Sequence, residues 1–112
     1  MARNAIPDPL KRRHLVEDDL DPARALALAE AYLAEGRTTE SVVFLEKAGA
    51  REQLGELRDR ALEGGDLFLL RATAAALGEE IAAETWARLA DAAEAAGKAL
   101  YAQEARRQAQ RS

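Results

Sequence analysis

Glycine falls along this 112-residue chain in two interleaved series. Gly36, Gly65 and Gly97 stand at intervals of 29 and 32 residues, and Gly49 and Gly78 each follow a member of that series by 13. Glycine readily takes the left-handed conformation in which helices stop, so breakers at this pitch describe helix, turn, helix, turn, repeated. The segments between breakers have the roughly 11 to 17 residues of ordinary globular helices. Composition agrees: the apolar fraction is mostly Ala and Leu, aromatics are 4%, and β-branched residues are scarce, which leaves little material for strands. The expected fold is all-α, three antiparallel helical hairpins over about residues 22–48, 51–77 and 79–110, stacked as a short α-solenoid.

The periodicity of each segment supports six helices. The first, 22–35, begins after Asp21 with Pro22 at the first helical position and carries Ala25, Leu28, Ala29 and Tyr32 on one face. The second, about 39–48, holds the run Val42–Leu45, which alone would also suit a buried strand; Thr38 as a cap and the helical neighbours favour helix. The third, 51–63, shows Leu54, Leu57 and Ala61. The fourth, 67–77, is expected to start at Asp66 as N-cap and stop at Gly78, burying Leu67, Phe68, Leu70, Ala74 and Leu77. The fifth, 79–96, offers Ile81, Thr85, Trp86, Leu89 and Ala93, and the sixth, 98–110, offers Leu100, Tyr101, Ala102, Ala105 and Ala109.

Residues 1–21 differ from the rest and read as an N-terminal arm ahead of a repeat domain at 22–112. All three prolines lie within residues 7–22, and Asp8 before Pro9 predicts a short helix from Leu10 to about Asp18. Lys11, Arg12 and Arg13 form a basic cluster in the arm, with the lone His14 beside them, and an acidic cluster follows at once.

The segment WARLADAAEAAGKALYAQEARRQA resembles the tetratricopeptide repeat: Trp86, Leu89 three on, small Ala90 beside it, Gly97 at the turn, then Ala102 and Ala109. The first hairpin follows the same frame with Leu28, Ala29, Tyr32, Gly36, Leu45 and Ala48. The middle one keeps Leu54, Leu57, Ala61 and Gly65, but has Arg58 at a small position, where it is expected to snorkel outward, and Leu70 in place of a small residue. The spacings fall short of the family's 34 residues. The resemblance, over about residues 22–110, implies a right-handed superhelix whose groove, lined by the first helix of each hairpin, binds a peptide or helix of a partner protein. Projecting the family's groove positions selects Leu26, Glu30, Leu33, Glu52, Asp59, Glu63, Glu84, Asp91 and Glu94. That acidic set implies a basic or amphipathic partner segment, and the absence of a Lys/Asn/Arg clamp speaks against an acidic C-terminus. With 20 acidic residues in the chain, a solvated face explains the same alignment.

Other classes find less support. One His, no Cys and no phosphate-binding glycine loop leave no catalytic constellation, so the chain is expected to be no enzyme and to need no cofactor or metal. Glu79, Glu80 and Glu84 read as favourable acid near a helix start, since carboxylate metal sites in bundles add His at fixed spacing. The basic arm and a second cluster, Lys98, Arg106, Arg107 and Arg111, are interspersed with acids and lack aromatics for base stacking, and the net charge is -4; nucleic-acid binding is the weakest reading. No apolar run reaches the ~18 residues of a membrane span, and no signal segment is evident, so the cytoplasm is expected. The leading expectation is an adaptor or regulatory module. The alternative is a small structural subunit that self-associates through the open ends of its stack.

Overall fold

The computed structural model describes residues 6–111; of the expected arm, residues 1–5 lie outside the described residues. Among the described residues there are seven helices and no strand: α1 (Pro9–Glu17), α2 (Pro22–Ala34), α3 (Thr38–Lys47), α4 (Arg51–Gly64), α5 (Leu67–Leu77), α6 (Ala83–Ala95) and α7 (Ala99–Arg111). The chain forms two compact units, Met1–Leu54 and Gly55–Ser112, so the boundary falls within α4.

Both glycine series act as helix stops. Gly36, Gly49, Gly65, Gly78 and Gly97 all have φ between 68° and 76°. At α2 the Gly36 N–H donates to the Leu33 carbonyl (3.0 Å) and the Arg37 N–H to the Tyr32 carbonyl (2.9 Å), the paired bonds of a Schellman cap. The same pairing recurs after α3, α4, α5 and α6, so each stop satisfies carbonyls that a bare helix end leaves unpaired.

In the first unit, α2 and α3 pack together across a three-residue connection, an αα-hairpin. Asp21 caps α2 through its carboxylate, which accepts from the Arg24 N–H, with Pro22 next to it. Ala25, Ala29 and Tyr32 form the buried line of α2; Ser41, Val42, Phe44 and Leu45 that of α3. The run Val42–Leu45 is therefore helical. Tyr32 and Phe44 are fully buried and stack, with centroids 5.7 Å apart and ring planes 14° off parallel. Thr38 does not cap α3: Arg37 holds the cap position with no side-chain cap bond, and Thr38 is the first helical residue. Arg37 instead grips Glu40 in the first turn with two bonds of 2.6 and 2.7 Å. A carboxylate there also meets the positive end of the helix dipole.

In the second unit, α6 and α7 form the corresponding hairpin. Trp86, Leu89, Ala90 and Ala93 are its buried line on α6, facing Ala102 and Ala105 on α7. α5 begins where expected, with the Asp66 carboxylate accepting from the Leu69 N–H, and stops at Gly78. α6 starts at Ala83, four residues later than the expected 79. Glu79 lies outside the helix with its carboxylate held by Arg58 (2.9 Å to each oxygen), and Ile81 falls in the non-helical connection. Two expected core residues are exposed. Leu100 is 78% exposed because it precedes Ala102 by two positions, about 200° around the helix from the buried line. Phe68 is 55% exposed and meets Tyr101 edge-on at 5.4 Å.

Candidate partner-binding surface

The projected groove residues are all at the surface, with the leucines half-buried. On α2, Leu26, Glu30 and Leu33 follow one another at i, i+4 and i+7 beside the buried alanine line, with Glu30 exposed. Glu52 is exposed in the first turn of α4. In the second unit Asp59 and Glu63 are exposed one turn apart on α4, and Glu84, Asp91 and Glu94 are exposed on α6. Glu84 and Asp91, seven residues apart, share the α6 face opposite Trp86, Ala90 and Ala93.

Arginines already answer part of this acidity. Arg106 on α7 reaches back to Asp91 (3.4 Å) and Glu94 (2.5 Å), and Arg58 touches Asp59 at 3.1 Å. Among the described residues Glu30, Glu63 and Glu84 have no ion pair. The Arg106 guanidinium is held even more firmly protonated than usual, first by its hydrogen bond to Glu94, and Arg58 likewise by Glu79. Arg58 does turn outward, as its position required, and ends in a carboxylate pair.

The basic residues separate into engaged and open ones. Lys98 Nζ donates to the Gly64 carbonyl at 3.0 Å, Arg107 pairs with Glu104 at 3.0 Å, and Arg106 is committed to α6, so the second basic cluster is largely spent on structure. In the arm, Lys11 and Arg13 are exposed. Arg12 is not an open contact as expected: it donates to the Glu40 carbonyl at 2.9 Å and lies over the Tyr32 and Phe44 rings, 5.3 and 5.5 Å from their centroids.

Sequence reading missed the hollow beside the α5–α6 connection. One open hollow of about 830 Å³ is walled by Arg71, Ala74, Trp86 and residues 79–83. A smaller one of about 260 Å³ lies among Arg58, Asp59, Leu70, Glu80, Thr85 and Arg88. Arg71 spans this region, its guanidinium 5.5 Å from the Trp86 ring and 3.3 Å from the Glu104 carboxylate. The signal was present in the spacing, since Gly78 stands eight residues before Trp86 whereas Gly49 stands five before the matching Leu54, but a continuous helix from residue 79 absorbed it. Among the described residues no three His, Cys, Asp or Glu side chains are grouped to hold a metal, and no helix is long and apolar enough to cross a membrane. The chain matches no protein-family model, no curated protein and no solved structure.

Proposed function

We propose that the chain is a protein-interaction module, an adaptor or regulatory domain of the tetratricopeptide kind, whose outward acidic helix faces recognise a basic or amphipathic segment of a partner protein. The observation that carries this reading is α6. Its inner face buries Trp86, Leu89, Ala90 and Ala93 completely or nearly so, while Glu84 and Asp91 stand on the opposite face in water. The repeat reading is supported by the shared cap at all five glycines and by small residues buried at matching places, Ala29 and Ala90, in the two hairpins. A right-handed stack of hairpins and a cytoplasmic setting belong to the same proposal.

The test is a display selection of helical peptides on the full chain, run in parallel on Glu30→Lys, Glu84→Lys and Asp91→Lys combined. The wild type is expected to enrich Lys/Arg at helical spacing, with binding that weakens as salt rises, and the charge-reversed chain to lose that enrichment. Equal enrichment by both chains would overturn the reading.

Self-association has one observation in its favour: Phe68 and Leu100 expose apolar surface near a shallow hollow at residues 97–101. Sedimentation equilibrium separates the readings, since a dimer abolished by Leu100→Glu with Phe68→Ser would move the interface there.

A further inference from the structure

The α2–α3 face bearing Tyr32, Phe44 and Glu40 is covered by α1, and the quality of that cover is poor. α1 is a nine-residue helix with a single buried residue, Leu15. An isolated helix of that length is marginal in water, so its order depends on its attachments. These are few. Arg12 lies over the two rings, donates to the Glu40 carbonyl and has its Nε 4.0 Å from the Glu40 carboxylate, Leu15 is 6% exposed, and Lys47 Nζ donates to the Asp18 carbonyl at 2.7 Å.

Two buried polar atoms in this one cluster have no hydrogen-bond partner among the described residues: the Tyr32 hydroxyl and Arg12 Nε. Burying an unsatisfied donor or acceptor opposes the contact that buries it, and the hydroxyl belongs to the surface while Nε belongs to its cover. The surface itself favours a cation. Arg37 already holds Glu40 at 2.6 Å and lies 5.0 Å from the Tyr32 centroid, and the stacked rings of Tyr32 and Phe44 take a second guanidinium, that of Arg12, at 5.3 and 5.5 Å.

We propose that the Tyr32–Phe44–Glu40 face is a helix-docking site in which α1 is a replaceable occupant, and that its partner is a basic helix of another protein. The partner carries an arginine over the two rings, an apolar residue three positions on, as Leu15 follows Arg12, and a polar side chain that reaches the Tyr32 hydroxyl. The site uses different residues from the acidic faces of α4 and α6 and stands or falls independently of them.

The first test needs only the wild-type chain. Native-state hydrogen exchange should show the α1 amides opening well before those of α2 and α3; exchange of α1 only with the rest of the unit would overturn the proposal. The second uses a fluorescent peptide of residues 7–19 added in trans to the full chain and to Arg12→Ala/Leu15→Ala, with circular dichroism showing that helix content is retained. Freed of its own α1, the variant should bind the peptide at least about tenfold more tightly than wild type, the equivalent of ~1.4 kcal/mol. A peptide carrying Arg12→Ala should not bind. No binding to the folded variant, or equal binding to both chains, would overturn it. A wild-type dimer that exchanges α1 between copies would also overturn it, by assigning the face to self-assembly.

Discussion

At Gly65 two requirements meet in one residue. Its φ of 69° is a left-handed conformation, and a Cβ there would collide with the α6 backbone at Ala92 and Ala93. Gly78 shares the φ, at 71°, but a Cβ there meets nothing within 4 Å. Gly78→Ala should therefore cost only the left-handed penalty of about 1–2 kcal/mol, while Gly65→Ala adds an overpacking cost of a further ~1–3 kcal/mol. Urea denaturation of the two variants checks the difference; equal losses would show that α6 does not lie so close. The aromatic residues make a related point. In matched positions α2 buries Ala25 and Tyr32 where α6 buries Trp86 and Ala93, so each hairpin places its large side chain at the opposite end of its first helix. The alternation of large and small residues was legible; which end carried the bulk in each unit followed directly from the sequence frame.

Helix boundaries followed local chemistry where the cap side chain had no competitor. Asp8, Asp21 and Asp66 each accept a backbone N–H three residues on, as aspartate before an apolar helical run is expected to do. Thr38 was displaced from that role because the Gly36 cap sends the chain into the helix one residue early and Arg37 supplies a charge pair with Glu40 instead. Asp66→Ala is expected to cost about 1 kcal/mol, and Thr38→Ala markedly less because its side chain makes no cap bond. Thermal melts of both variants decide this, and comparable losses would restore Thr38 as a cap. The late start of α6 is the larger departure. No proline or glycine within residues 79–82 forbids helix; Glu79 closes the α5 cap through its N–H on the Ala74 carbonyl and pairs with Arg58, 21 residues away.

At the scale of the whole molecule, two carboxylates held by arginine or amide groups contribute to the response to acid. Glu40 is held below the ordinary value of 4.5 by its hydrogen bonds from Arg37, and Glu104 below it mainly by Gln108. A lowered folded pKa means that unfolding takes up protons, so this stabilisation is complete above about pH 4.5 and disappears as pH falls through the lower folded values. Both side chains are partly exposed, 41% for Glu40 and 28% for Glu104, and solvent screening keeps the effect modest. Denaturant titrations of wild type and Glu40→Gln should differ at neutral pH and converge in acid. A difference that persists unchanged at low pH would mean that the charge of Glu40 is not what matters.

The division between what was readable and what was not follows the range of the forces involved. The glycine spacing, the aspartate caps and the apolar periodicity act within a few residues, so the sequence alone determined an all-helical chain, its helix stops and most of its buried lines. Pairings between distant residues were decided only in the tertiary structure. Arg106 partly neutralises the acidic face at Asp91 and Glu94, Arg58 pairs with Glu79 in the non-helical connection, and Arg12 turns from an open basic residue into the cover of Tyr32 and Phe44. A guanidinium at the end of a flexible chain has several acceptors and aromatic faces within reach. Its choice depends on which of them the packed helices bring near, and no local pattern encodes that.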